Sequence, residues 1–295
     1  MVLHKFDFAE PRSLEEVHAL LGEHGDDAKL MAGGTALMLF MRQKLVQPAV
    51  IVSLRHVPGL HTVEALDGGV RIGALVTHRR AELDPLVQQR FPALRDTLRH
   101  VATIRIRNMG TLGGNLAHAD PAQDPPAMLI ALGASVRLAG PNGVRTVPLD
   151  EFFTGYYETV LEPGEVLTHI DIPGPRGDFR QAWSKFLPRS VDDYATVAVG
   201  VGLTLAPDGQ RVADVRIGIG SAGETPIRAR AAEDVLRGQL LTDDVLRAAG
   251  EAAAAECDPL TDVRGSAEYK REMVKVWVRR TIRKAVEATG GGRPA

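Results

Sequence analysis

Cysteine is almost missing from this chain of 295 residues: Cys257 stands alone. One thiol cannot close an internal disulfide, and structural zinc sites and iron–sulfur clusters want several thiolates, so the chain carries no such centre of its own. An excess of one charge sign is also lacking. With 35 Lys and Arg against 37 Asp and Glu the net charge is -2, so no global positive field exists to hold nucleic acid or an anionic membrane. The longest charge-free run, Tyr194 to Pro207, falls short of the roughly 18 residues of a membrane span. The first ten residues interrupt every apolar pair with a charge, as a signal peptide does not. Nucleophile elbow, P-loop and His-Glu-x-x-His motifs are missing, and with them the usual hydrolase and kinase signatures. These absences predict a protein of the cytoplasm with no membrane span and no nucleic-acid partner.

What is present is an ordinary globular composition, 44% hydrophobic and 24% charged, and a length that suggests two domains at roughly 150 residues each. Ser13 to Glu16 reads as a capping box for a helix to about Leu21. Strands are expected at 28–32, 49–54 and 70–75, with helices at 36–45, 79–83 and 92–100. The glycine-rich segment Asn108 to Asn115 reads as a tight loop. A short helix at 127–132 and a strand at 134–138 follow, with a hairpin turn at Pro141-Asn142-Gly143. The Pro/Gly cluster Ile172 to Pro175, with the charged run Arg176 to Arg180 behind it, marks the best domain boundary. Beyond it, strands at 196–205 and 212–219 precede helices at 229–236, 243–256 and 268–287, a smaller sheet backed by helices. The last helix carries Lys270, Arg271, Lys275, Arg279, Arg280, Arg283 and Lys284. These read as snorkelling cations on a packed helix, or as a docking surface for an acidic partner.

Two segments carry the chemistry. Met31-Ala32-Gly33-Gly34-Thr35-Ala36-Leu37 sets a glycine pair between a strand and a helix, where backbone N–H groups and the positive helix end suit a phosphate; a plain strand-to-helix turn fits the same residues. Thr111-Leu112-Gly113-Gly114-Asn115 repeats the pattern some 80 residues on, adding a hydroxyl and an amide, so that two loops could clamp one diphosphate. His118, Asp120 and Asp124 follow in a stretch stiffened by prolines. Their spacing matches no standard metal site, and a hydrogen-bonding ligand loop suits them better. Gly218-Ile219-Gly220-Ser221-Ala222-Gly223 formally matches the dinucleotide fingerprint. It lacks the returning βαβ context, and a strand-to-helix turn explains it as well.

At the two glycine segments the sequence resembles the FAD-binding medium subunit of molybdenum hydroxylases of the xanthine oxidase family, the carbon monoxide dehydrogenase type in particular. The likeness extends through Ile106-Arg107-Asn108-Met109-Gly110, Asp120-Pro121, Asp124 to Ala127, Leu161 to Glu165, Asp193-Tyr194-Ala195 and Ala267-Glu268-Tyr269. It departs at Ala36, where many members carry a serine hydroxyl that Thr35 can replace. The resemblance implies an α+β fold: a two-lobed FAD-binding domain of the vanillyl-alcohol oxidase type over residues 1–175, then a smaller α/β domain over 176–295. It implies that both glycine segments hold the FAD pyrophosphate, that Asp124 hydrogen-bonds FAD with Leu161 beside it, that Lys185 lies near the flavin, and that Tyr194 borders the isoalloxazine ring. It further implies an electron-relay subunit of an oxidoreductase. Molybdopterin and two [2Fe-2S] clusters would sit on a large and a small partner subunit in a heterohexamer with two copies of each. The rival expectations are a free-standing FAD-dependent oxidoreductase of the same fold and a non-catalytic protein that has kept the fold.

Overall fold

The computed structural model describes residues 4–188, 190 and 193–288; the first three residues of the stretch read for a leader lie outside it. The chain opens with β1 (Asp7–Ala9), α1 (Leu14–His24), β2 (Ala28–Met31), α2 (Thr35–Arg42) and β3 (Val50–Ser53). These strands pair in parallel in the order β1-β3-β2. Every residue of β3 is buried, and Val50 and Val52 join Val17 of α1 in a first small core. Ser13 Oγ accepts from the Glu16 N–H at 3.2 Å, as a cap should. Glu16 reaches back one residue further than a capping box predicts, accepting from the Arg12 N–H at 2.7 Å.

The second lobe is built from β4 (Val63–Leu66), β5 (Gly69–Gly73), α3 (His78–Leu83), α4 (Pro85–Arg90), α5 (Pro92–Arg99), α6 (Ile104–Met109), α7 (Leu112–His118), α8 (Asp124–Ala131), β6 (Ser135–Gly140), β7 (Gly143–Pro148), the short hairpin β8 (Phe153–Gly155) with β9 (Glu158–Thr159), and β10 (Val166–Ile172). Its sheet, ordered β4-β5-β10-β6-β7, is antiparallel throughout. Its core is the larger one, with Phe91, Leu94, Leu98, Leu112, Leu116, Met128 and Phe152 buried. β6 and β7 turn at Pro141-Asn142, where the sequence placed the hairpin. The segment read as a loop over 108–115 is instead helical on both sides of Gly110. Thr103 and Thr111 cap α6 and α7 through their hydroxyl oxygens, and that local chemistry outweighs the glycine content. Helix α4 was missed in the same way: Asp84 accepts from the Leu86 N–H at 2.9 Å, with Pro85 in the first helical position.

The remainder forms β11 (Asp178–Phe186), β12 (Val197–Leu205), β13 (Val212–Gly220) and β14 (Ile227–Arg228), followed by α9 (Arg230–Leu236), α10 (Asp243–Ala255) and α11 (Ala267–Glu287). The four strands make one antiparallel sheet in chain order. The charged run at 176–180 therefore partly enters a strand, β11, because Asp178 to Arg180 pair with Leu203 to Leu205. Val274, Val278, Ile282 and Ala285 of α11 are buried on this sheet. Its cations are largely taken within the domain: Arg271 pairs with Asp258 at 2.8 Å, Lys275 with Glu251 at 2.8 Å and Arg283 with Asp243 at 2.6 Å. Arg280 lies over the Trp277 ring, its guanidinium carbon 5.1 Å from the ring centre.

Helix α8 joins the two larger regions. A Cβ placed on Gly218 would come within 2.0 Å of the Ala127 carbonyl oxygen, and one on Gly200 within 2.7 Å of the same atom. The formal dinucleotide fingerprint is thus a packing device. Gly218 lies inside an antiparallel strand and is bare because the backbone of α8 rests on it.

Candidate functional site

The two glycine segments, far apart in sequence, meet in space. A Cβ on Gly33 would come within 2.0 Å of the Met109 carbonyl oxygen, and one on Gly114 within 3.2 Å of the Ala32 Cβ. Helices α2 and α7 leave this junction side by side: their glycine-bearing starts touch, and near their far ends Phe40 and His118 meet edge to face with ring centres 5.1 Å apart.

Their N-termini are used differently. Gly34, at φ 71°, stands at the cap of α2 with no side chain to offer, and the first internal acceptor pair is Met38 N–H to Gly34 carbonyl. The N–H groups of Thr35, Ala36 and Leu37 are therefore left without an intrahelical acceptor, in a segment that is half-buried from Met31 to Met38. In α7 the same groups are consumed. Leu112 N–H donates to the Val76 carbonyl at 2.9 Å, Gly113 N–H to the Ala74 carbonyl at 3.0 Å and Gly114 N–H to Thr111 Oγ1 at 3.1 Å. What the second segment leaves open is side-chain chemistry. Thr111 keeps a hydroxyl proton, and Asn115 Oδ1 is buried with no donor.

Past α7 the chain runs along the seam between the larger regions. Asp124 opens α8, and Lys185 of β11 reaches it at 2.8 Å, with both side chains almost fully buried. Burial pushes the Asp124 carboxyl up to about 6 against the pull of the lysine. Lys185 also donates to the His100 carbonyl at 3.3 Å, while Asp124 Oδ1 and Gln123 Oε1 are buried without a donor. The lysine that sequence placed near the site thus belongs to a buried ion pair. Leu161 packs on the rim of the second core, its N–H donating to Thr159 Oγ1 at 3.3 Å.

Tyr194 comes to the far end of α7. Its hydroxyl faces Asp120, and burial together with that carboxylate raises the phenol well above its ordinary value. Tyr157 donates to Asp120 from the β8–β9 hairpin at 3.4 Å, and its ring lies 5.1 Å from His118 and 5.5 Å from Phe40. Burial lowers the His118 pKa, so this imidazole favours its neutral form. Phe40, Tyr157 and Arg264, whose guanidinium lies 5.3 Å from the centre of the Tyr194 ring, went unnoticed in the sequence. A signal was there for one of them: Tyr156-Tyr157 at a glycine turn holds two of the chain's four tyrosines.

Comparison with known proteins agrees over nearly the whole length. Residues 4–175 match the family model described as FAD binding domain in molybdopterin dehydrogenase, and residues 182–285 match the CO dehydrogenase flavoprotein C-terminal domain. The chain is 36% identical to the carbon monoxide dehydrogenase medium chain of Hydrogenophaga pseudoflava, over 97% of this chain and 98% of that one. It is 39% identical to the nicotine 6-hydroxylase medium subunit of Paenarthrobacter nicotinovorans, over 96% and 98%. Among solved structures, a carbon monoxide dehydrogenase from Hydrogenophaga pseudoflava superimposes with a TM-score of 0.93 at 38% identity, covering 97% of this chain and 98% of that one. Quinoline 2-oxidoreductase from Pseudomonas putida 86 gives 0.90 at 35% identity, covering 98% and 99%.

Proposed function

Because this chain belongs to the family of FAD-binding medium subunits of molybdenum hydroxylases, we propose that its residues 1–175 form the cofactor-binding unit, that 176–295 close the site from the other side, and that FAD lies along α2 and α7. The observation that carries this is the junction of the two glycine segments, with the open N–H groups of Thr35, Ala36 and Leu37 beside it. FAD offers a diphosphate for such donors, and hydroxyl-bearing ribityl and ribose chains for the orphaned oxygens of Asn115, Gln123 and Asp124. The residues present therefore fit the group. When bound, FAD supplies the redox chemistry that makes the subunit an electron relay within an oxidoreductase.

Each candidate residue takes a part in this reading. Met31, Ala32 and Gly33 bring the first segment against the second; Gly34 leaves the start of α2 uncapped for the anion. Gly113 lets α7 pack on Ala74 in the core, while Gly114 lets it approach Ala32 and so fixes where Thr111 and Asn115 present their side chains. Asp124 and Lys185 lock the seam and offer one free carboxylate oxygen, while Leu161 and Tyr194 bound the cofactor with apolar surface.

The chain works in a complex. Relatives of the same length are called medium chains or medium subunits, and at 31–39% identity they are named for carbon monoxide, nicotine and glyceraldehyde. That spread, on one flavin-binding scaffold, supports a substrate read by another subunit. With a single buried cysteine in this chain, the electron donors fall to a small subunit with two [2Fe-2S] clusters and the molybdopterin to a large one, in a cytoplasmic heterohexamer. No helix among the described residues is long and apolar enough to cross a membrane. A visible spectrum of the protein purified gently from its host tests the assignment: a flavin signature overlaid by iron–sulfur absorption is expected. Gly114→Asp, which drives a carboxylate between the two segments, should yield a folded chain without flavin. A folded variant with full flavin content would refute the site.

A further inference from the structure

Tyr194 has little beneath it. It stands between β11 and β12 with 43% of its surface exposed, yet it must keep one orientation if it borders a flat cofactor. Its N–H donates to Asp193 Oδ1 at 2.7 Å, which fixes the backbone and leaves the ring to be placed by its neighbours. Among the described residues, Asp120 meets the hydroxyl and Arg264 covers a face, its guanidinium carbon 5.3 Å from the ring centre.

Arg264 is itself anchored from behind. Its N–H donates to Asp262 Oδ1 at 2.8 Å, and Asp262 and Gly265 exchange backbone hydrogen bonds at 3.1 and 3.2 Å, closing a tight loop. Asp262 is gripped by Lys270 at 2.8 Å, and that ammonium, nearly buried, also donates to the Leu260 carbonyl at 2.9 Å. The guanidinium then contacts Asp193 Oδ1 at 3.4 Å, the same oxygen that holds the Tyr194 N–H. A rigid path of charges thus runs from helix α11 to the ring. A planar guanidinium is suited to lie on an aromatic face, and it leaves the opposite face of that ring for another partner.

We infer that Arg264 is a positioning residue: from the C-terminal domain it holds Tyr194 in the orientation that presents its other face to the flavin. The inference rests on the reading that Tyr194 borders the cofactor, and its test separates the two. A tyrosine in contact with a flavin quenches flavin fluorescence by electron transfer, so emission reports the ring's place without any turnover. The full chain is purified with its flavin, and wild type, Tyr194→Leu, Arg264→Gln, Arg264→Met and Arg264→Lys are compared at matched flavin content. Tyr194→Leu is expected to raise the emission several-fold, Arg264→Gln and Arg264→Met to recover most of that rise, and Arg264→Lys, which keeps a cation at the ring, to stay dimmer than both. A dim Tyr194→Leu would overturn the reading that the tyrosine touches the flavin. With Tyr194→Leu bright, wild-type emission in both Arg264→Gln and Arg264→Met would overturn the positioning role alone. An Arg264→Lys chain as bright as Arg264→Gln would overturn the role of the cation.

Discussion

The glycine segments 31–37 and 111–115 look alike in sequence and work as opposites. The first keeps its helix-start N–H groups open and spends glycine on approach to Met109 and on the positive φ of Gly34. The second turns its N–H groups inward, onto Val76, Ala74 and Thr111, and spends glycine on packing against Ala74. One is a donor surface; the other is the wall that holds it. A glycine pair before a helix is therefore an anion site only where no neighbouring carbonyl has already claimed the amides. Gly218, in the segment 218–223, takes the second use further, serving the contact between β13 and α8.

If the second segment belongs to the frame, the largest effects lie in that frame. Lys185→Met strips the cation from a buried carboxylate at the seam and is expected to cost about 3 kcal/mol in a urea melt. The pair also predicts a pH signature. Asp124 holds its proton up to about 6, above the ordinary 3.8, so folding binds that proton more tightly than the unfolded chain does. Its contribution is greatest at low pH and is lost as pH climbs through the folded value. Wild type should lose stability relative to Asp124→Asn between about pH 4 and about pH 7; a flat difference would mean that the seam does not bury the carboxyl.

The glycines themselves come next, and they break the comparison most directly. In Gly113→Ala the new methyl would stand 2.4 Å from the Ala74 Cβ inside the large core, and a loss of about 2 to 3 kcal/mol of stability is expected. Flavin affinity per folded molecule should change little. Gly33→Ala adds a second loss. Its methyl would stand 2.0 Å from the Met109 carbonyl oxygen, a backbone atom, at the half-buried junction of the two segments. It should therefore cost as much stability and in addition weaken flavin binding about 100-fold, or about 2.7 kcal/mol. Titrating FAD into both variants alongside their urea melts decides the matter. Equal losses in both measurements would erase the distinction between donor and wall.

Much of this was legible beforehand, and what was not has a common cause. The Ser13 cap, the Pro141-Asn142 turn and the two glycine segments depend on neighbours within a few residues, which a sequence displays. The start of β11 reads in sequence as the charged run behind a domain boundary, because Asp178 to Arg180 become strand only by pairing with Leu203 to Leu205 of β12. The pairing of Lys185 with Asp124, the bareness of Gly218 against α8 and the cover of Arg264 on Tyr194 join residues about 60 to 90 positions apart. Nothing local announces them. The inward turn of the α7 amides belongs to the same class, since their acceptors Ala74 and Val76 come from the turn after β5.

The smallest expected effect tests the finest part of the comparison. Thr111 accepts from the Gly114 N–H, a bond that α2 has no counterpart for, since Gly34 stands at its cap. Thr111→Ala should cost about 1 kcal/mol of stability, the usual loss for an N-cap hydroxyl. It also frees one N–H at the start of α7. If the second segment is a wall, that new donor gains nothing for the ligand, and FAD should bind no tighter than to the wild type. Thr111→Ser, which keeps the oxygen, should restore the melt. Tighter binding by Thr111→Ala would mean that both helix starts face the diphosphate, and that the cap had been competing with the cofactor for the same amide.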